Sequence, residues 1–146
     1  MPRMVILMAG VLLAVLVVSS SAQEPSDDGG GSRRGWTIPA GAAKEPNPIE
    51  ATPEVIEAGK KIYADNCEKC HGATGKGDGP DADPDAPPDD LTDPARAKRN
   101  PDGVMFYKIW NGRRSPKMPA FKSEGLTKEQ VWQVIHYIKT FREPAA

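Results

Sequence analysis

The chain has 146 residues, of which 20 are acidic and 19 are basic, so its formal net charge at pH 7 is −1. This balance argues against a nucleic-acid-binding protein, because such proteins rely on a basic face for affinity. Only 38% of the residues are hydrophobic, which suits one small domain whose core needs a staple or a cofactor to be complete.

The N-terminus has the layout of a secretory signal peptide. A basic residue is followed by an unbroken apolar run from Met4 to Val18, and Ser20-Ser21-Ala22 supplies the small residues that signal peptidase reads. We expect cleavage after Ala22, so that residues 1–22 are a signal peptide and the mature protein is periplasmic. The alternative is an uncleaved membrane anchor, although the run is shorter than the ~20 apolar residues of a typical span.

Residues 23–51 are predicted to be a flexible arm. They are polar and rich in glycine and proline, and no helical or alternating pattern of apolar residues runs through them. Trp36 and Ile38 are exceptions. These two residues either dock on the folded domain or are isolated apolar residues of the arm, and the sequence does not decide between the two.

The folded domain is predicted to span residues 52–146 and to open with a helix. Thr52 is a suitable N-cap, Pro53 suits the first helical position, and apolar residues recur at spacings of three and four up to about Asn66. The sequence Cys67-Glu68-Lys69-Cys70-His71 follows directly. It contains both cysteines of the chain, which lie too close together for a disulfide that braces distant parts of a fold.

The pattern C-x-x-C-H is the attachment pattern of c-type haem. Two thiols on one helical turn can each reach one vinyl group of the porphyrin, and the histidine then lies under the iron. A structural zinc site needs four ligands, and His136 is the only further histidine. A thioredoxin-like dithiol needs a preceding strand, whereas this motif ends a helix. We therefore expect one covalent haem c held by Cys67 and Cys70, with His71 as an axial iron ligand.

The candidates for the second axial ligand are Met118, Met105 and His136. Met105 and His136 lie within helical patterns, where such residues more often serve packing or the surface. Met118 lies in Pro116-Lys117-Met118-Pro119, where prolines restrict the backbone and can hold a thioether against the open face of the iron. Since His/Met ligation suits electron transfer, Met118 is the predicted ligand. The alternative is a methionine that merely covers the haem edge.

Two further helices are predicted after a long loop. Residues 72–99 are rich in glycine and proline, which suits a loop that wraps a large flat ligand. Asn100-Pro101-Asp102 is predicted to begin a helix that Gly112 ends. Thr127 and Gln130 form a predicted capping box at the start of the last helix. Since no strand is predicted, the fold class is all-α, with three or more helices wrapped around one haem.

These landmarks resemble those of the class I c-type cytochromes of bacteria, which carry a single haem. The resemblance covers about Thr52 to Arg142. Its landmarks are Gly59 and Tyr63, Cys67-x-x-Cys70-His71, the stretch His71-Gly72-x-x-Gly75-x-Gly77-Asp78-Gly79-Pro80, Met118-Pro119, Trp132 and Tyr137. It implies a small all-α fold whose first and last helices cross near Gly59. It also implies that a proline carbonyl, from Pro87 or Pro88, accepts a hydrogen bond from the second nitrogen of His71.

The resemblance implies an electron-transfer protein rather than an enzyme. The predicted function is one-electron shuttling between periplasmic or membrane-bound respiratory or dehydrogenase partners. One alternative is an electron-entry module of a larger dehydrogenase or oxidase complex. A second alternative, which applies if Met118 is not bound, is an open-iron haem protein that binds ligands or does chemistry.

Charged and aromatic residues near the predicted methionine ligand suggest further contacts. A basic cluster can steer docking to an acidic redox partner, or can simply be a solvated loop. Its members are Arg113, Arg114, Lys117 and Lys122. Trp110 and Arg113 are candidates for contact with a haem propionate, with core packing and a solvated charge as the alternatives. No nucleic-acid partner is expected, and membrane contact is expected only if the N-terminal segment stays uncleaved.

Overall fold

The computed structural model describes Trp36, residues 38–115 and residues 117–142. The predicted signal peptide and residues 23–35 of the predicted arm lie outside these residues. The described part is helical and contains no strand, which confirms the all-α prediction. Its α-helices are α1 (Pro53–Asn66), α2 (Glu68–His71), α3 (Pro94–Arg99), α4 (Asp102–Asn111) and α5 (Lys128–Thr140). None of these described helices combines the length and the apolar character that crossing a bilayer would require.

The caps of α1 and α5 are those that the sequence predicts. At the start of α1, the Thr52 hydroxyl accepts a hydrogen bond from the Val55 N–H at 3.4 Å. At the start of α5, Thr127 and Gln130 are hydrogen-bonded in both directions, at 3.2 and 2.8 Å. Both helices therefore begin where a side chain satisfies a backbone N–H that has no partner within the helix.

The helices α1 and α5 cross at Gly59, as the resemblance implies. A Cβ atom at Gly59 would overlap the backbone carbonyl of Gln133 on α5. Only a residue without a side chain allows the two backbones to approach this closely. The crossing brings the C-terminal end of α1, and the C-x-x-C-H motif that follows it, onto the core.

The core lies between α1, α4 and α5, and Tyr63 is at its centre. Tyr63 is 1% exposed, and its ring makes edge contacts with Tyr137 and Phe141 at centroid distances of 5.4 and 5.2 Å. Its hydroxyl donates to the Gly72 carbonyl at 2.7 Å. This bond ties α1 to the residue that follows the C-x-x-C-H motif.

The start of α4 differs from the sequence prediction. The sequence predicts Asn100 as the helix cap, but Pro101 is the N-cap and the helix begins at Asp102. Asn100 instead follows α3, and its side-chain amide donates to the Arg96 carbonyl at 2.7 Å. The end of α4 at Gly112 agrees with the prediction.

The predicted loop 72–99 contains one short helix, α3, that the sequence pattern does not indicate. Asp93 caps it, because its side chain accepts a hydrogen bond from the Ala95 N–H at 2.8 Å. Pro94 occupies the first turn, where its missing N–H costs nothing. The helix is too short to show an apolar period, so capping chemistry is the only local signal for it.

Packed structure begins before the predicted boundary at residue 52. A short 3₁₀ helix, Ala42–Lys44, packs against α4. A Cβ atom at Gly103 of α4 would overlap the Ala42 carbonyl, so the contact is between backbones. The predicted arm therefore includes residues that belong to the packed domain.

Two hydrogen bonds to α5 hold the chain between this 3₁₀ helix and α1. The Asn47 side-chain amide donates to the Trp132 carbonyl at 2.9 Å. The His136 Nε2 is hydrogen-bonded to the Ile49 carbonyl at 2.7 Å. We call residues 38–51 the N-terminal strap, since they run along the surface of the domain and are tied to it at these points.

Candidate cofactor site

A wide cavity lies beside the C-x-x-C-H motif. It encloses about 1220 Å³ of space when the part that is open to solvent is counted. Its walls are mostly apolar. The predicted site residues Cys67, Cys70, His71 and Met118 all line this one cavity, although Met118 lies far from the other three in sequence.

The turn that presents the motif follows directly from the end of α1. The Cys67 N–H still donates to the Tyr63 carbonyl at 2.8 Å, as a continuing helix would require. The N–H groups of Cys70 and His71 then both donate to the Cys67 carbonyl, at 3.1 and 2.9 Å. Gly72 ends this turn with φ +78°, a conformation that glycine adopts without strain.

The two thiols lie in different surroundings. Cys67 is buried, whereas Cys70 is partly exposed, and the structure contains no disulfide between them. Burial, with a smaller effect of the nearby Cys70, raises the pKa of Cys67 to about 12. Cys67 is therefore a neutral thiol at physiological pH, in an apolar setting that suits a thioether better than a metal-bound thiolate.

His71 has the protonation state that an iron ligand needs. Burial lowers the pKa of its imidazole, while the neighbouring Asp89 acts in the opposite direction, so the ring is neutral at pH 7. Its Nδ1 is buried and has no hydrogen-bond partner among the described residues. The carbonyl of Pro87 or Pro88 that the resemblance implies does not accept a bond from this atom. The nitrogen of a ligating histidine that does not bind the metal needs a protein acceptor, and the backbone of Asp89, whose hydrogen bonding raises the pKa of the imidazole, is the neighbouring group that can provide it.

Met118 reaches the cavity from the loop between α4 and α5. Its N–H donates to the Arg113 carbonyl at 3.0 Å, and its carbonyl accepts from the Arg113 N–H at 2.9 Å. Pro119 also lines the cavity, whereas Pro116 lies outside the described residues. The loop is therefore closed by backbone hydrogen bonds as well as restricted by proline.

The two other candidate axial ligands, His136 and Met105, differ in whether they line the cavity. His136 does not line the cavity, and its Nε2 is already hydrogen-bonded to the Ile49 carbonyl. This position also removes it as a fourth zinc ligand. Met105 is buried on α4 and does line the cavity, with the Arg142 Nη2 at 3.7 Å from its sulfur. Two methionines, Met118 and Met105, are therefore present at the cavity.

The two candidates for propionate contact, Trp110 and Arg113, also differ in whether they line the cavity. Trp110 does not line the cavity, and its ring stacks on Phe106 at a centroid distance of 5.9 Å, so it is a packing residue. Arg113 does line the cavity. The guanidinium carbon of Arg113 lies 4.6 Å from the ring centroid of Trp36, and Trp36 itself lines the cavity. The sequence left the position of Trp36 open, and the structure docks it on the domain.

Together, the helical fold and the cavity define a small domain with space for a flat cofactor beside C-x-x-C-H. A family model described as Cytochrome c matches residues 56–142, which include the motif, the cavity loops and Met118. The chain therefore belongs to the cytochrome c family, as the resemblance predicted, and it is a haem-based electron-transfer protein rather than an enzyme. No protein of curated function matches the chain.

Proposed function

We propose that this protein is a one-electron carrier whose haem is bound to Cys67 and Cys70 and ligated by His71 and Met118. The observation that carries the proposal is the convergence of these four side chains on one cavity. When bound, haem supplies a one-electron iron couple, and His/Met ligation raises its potential and suits electron transfer.

The protein's own contribution is to hold both predicted axial ligands in place. On the His71 side, the Tyr63 hydroxyl is hydrogen-bonded to the Gly72 carbonyl, directly after the ligand. On the Met118 side, two backbone bonds to Arg113 close the loop. Because backbone on each side is already restrained, little reorganisation is needed when an electron arrives or leaves.

The basic cluster supports docking of an acidic redox partner at the cavity mouth. Arg114 and Lys117 are exposed, and Lys117 also lines the cavity. Lys122 is exposed too, although its Nζ donates to Asn111 Oδ1 at 2.9 Å. Arg113 is only partly exposed and lies against Trp36. Steering should therefore depend mainly on the exposed members of the cluster.

The proposal includes a location outside the cytoplasm, for which the signal-like residues 1–22 are the support. The mass of the mature protein tests this part, because cleavage after Ala22 removes all of these residues. An intact N-terminus in a membrane fraction would instead favour the anchor, with the haem domain still outside the cytoplasm.

A redox titration of the purified holoprotein, followed by its visible spectrum, tests the function and the ligand set. We expect a single one-electron transition and a low-spin oxidised form with a weak sulfur–iron band. A high-spin oxidised spectrum that shifts when imidazole is added would overturn the His/Met ligand set and favour an open iron. The control for attachment is the double variant Cys67→Ala with Cys70→Ala, which should release its haem under denaturing conditions.

A further inference from the structure

Trp36 lies at the cavity although it precedes the cytochrome c match, which begins at residue 56. Its ring is close to two cations. The Lys108 Nζ lies 5.5 Å from the ring centroid, and the guanidinium carbon of Arg113 lies 4.6 Å from it. Both distances are within the ~6 Å over which a cation is attracted to an aromatic face.

We propose that Trp36, just ahead of the N-terminal strap, is a haem-contacting residue that this part of the chain adds to the site. The inference rests on the proposed haem function. Arg113, which the indole contacts, is hydrogen-bonded through its backbone to Met118. Trp36 therefore covers the edge of the cavity on the side from which Met118 approaches, and it limits how much of the haem edge meets solvent.

The strap has its own attachment to the domain, which explains how Trp36 is positioned at the cavity. Asn47 bridges two segments, because its amide donates to the Trp132 carbonyl at 2.9 Å and its side-chain oxygen accepts from the Ile49 N–H at 3.0 Å. His136 holds the Ile49 carbonyl at 2.7 Å. None of Asn47, Ile49 and His136 lines the cavity, so these contacts anchor the strap without touching the cofactor.

Two physical consequences follow from an aromatic cover at this edge. Excluding water lowers the local dielectric around the haem, and solvent exposure is one of the factors that set a haem's potential. The indole also holds Lys108 and Arg113 near the cavity, where positive charge disfavours the oxidised iron. Both effects raise the reduction potential, and the same cover hinders an added ligand that would displace Met118.

The test compares holoprotein variants by reduction potential and by the affinity of the oxidised form for imidazole. Trp36→Ala should lower the potential and raise the imidazole affinity by about two- to fivefold for each cation–ring contact that is lost. Trp36→Phe keeps a smaller ring and should recover part of the effect. Trp110→Phe is the matched control, since Trp110 lies outside the cavity, and it should match the wild type.

Asn47→Ala tests whether the strap positions the Trp36 indole, because it leaves the indole itself unchanged. It loosens the strap without substituting any cavity residue, so it should shift both measurements in the same direction as Trp36→Ala, but less. An attached, low-spin Trp36→Ala protein with wild-type potential and imidazole affinity would overturn the inference. Failure of the proposed ligand set would instead appear in the wild type, as a high-spin spectrum. In that case an unchanged potential in Trp36→Ala would still overturn the Trp36 assignment.

Discussion

The backbones of Arg113 and Met118 are hydrogen-bonded to each other in both directions, at 2.9 and 3.0 Å. This pair of bonds closes the loop that follows α4 and brings Met118 to the cavity. The chain enters the loop through Gly112, which has φ +57°. Local backbone geometry therefore helps to set the position of the predicted ligand, whose side chain also packs against the core.

Gly112→Ala should loosen Met118 without altering a predicted iron ligand. A Cβ atom there would overlap the Met118 carbonyl, and the positive φ disfavours any side chain. We expect the free energy of unfolding to fall by about 1–3 kcal/mol. On heating, the sulfur–iron band should disappear at a lower temperature than in the wild type.

Gly125→Ala is the matched control for this prediction. Gly125 has φ +95°, but a Cβ atom there would have no neighbour within 4 Å. Gly125→Ala should lower the free energy of unfolding through backbone strain alone. The interval between the loss of its sulfur–iron band and its unfolding midpoint should equal that of the wild type. If Gly112→Ala behaved in the same way as Gly125→Ala, the loop would not position the ligand.

Tyr63→Phe should destabilise the protein at neutral pH. The Tyr63 hydroxyl donates to the buried Gly72 carbonyl at 2.7 Å, and the variant leaves that carbonyl without this partner. We expect a loss of about 0.5–1.5 kcal/mol in the free energy of unfolding, measured with urea at pH 7. Ala64→Gly is the control, because Ala64 is exposed on the same helix. Its expected loss of ~1 kcal/mol in the free energy of unfolding gives the size of a purely local helix effect.

The same pair of proteins should differ less at high pH. Burial raises the pKa of Tyr63 above its ordinary value near 10, so the folded state keeps a proton that the unfolded state loses. The stability that this tyrosine contributes is fully present below pH ~10 and is lost as the pH rises through its folded pKa. The gap between wild type and Tyr63→Phe should therefore narrow between pH 7 and pH 11. A constant gap would show that Tyr63 does not titrate differently in the two states.

Reversing one exposed charge of the basic cluster should slow electron transfer to an acidic redox protein. We expect Arg114→Glu or Lys117→Glu to lower the bimolecular rate about three- to tenfold at low ionic strength, and the difference should shrink as salt screens the charges. Lys61→Glu makes the same charge change at an exposed residue outside the cavity. Stopped-flow rates that ignore ionic strength, or an equal effect of Lys61→Glu, would argue against steering.

Much of the fold could be predicted because its signals are local. Thr52 and Thr127 begin helices through side-chain hydrogen bonds to nearby N–H groups, and such bonds depend only on residues within one turn. Gly112 marks a helix end for the same reason. The C-x-x-C-H motif is likewise a local pattern, so the attachment site could be located from the order of residues alone.

The features that sequence reasoning missed depend on long-range contacts or on competing local bonds. The strap is held by single hydrogen bonds from Asn47 and His136 and by the packing of its 3₁₀ helix against α4. These contacts leave no periodic pattern in the sequence. Asn100 has the composition of a helix cap, but its amide bonds back to Arg96 instead. Trp36 lies against Lys108 and Arg113, residues that are distant in sequence.

The most direct test of the proposed carrier compares the two methionines that line the cavity. Met118→Ala and Met105→Leu, a volume-conserving change, should be purified with haem attached, and each should be measured for its sulfur–iron band and reduction potential. We predict that Met118→Ala loses the band and has a lower potential, whereas Met105→Leu keeps the band and a potential close to that of the wild type. A Met118→Ala protein that keeps both its band and its potential would contradict the assignment of Met118 and the closed, electron-only site that it implies.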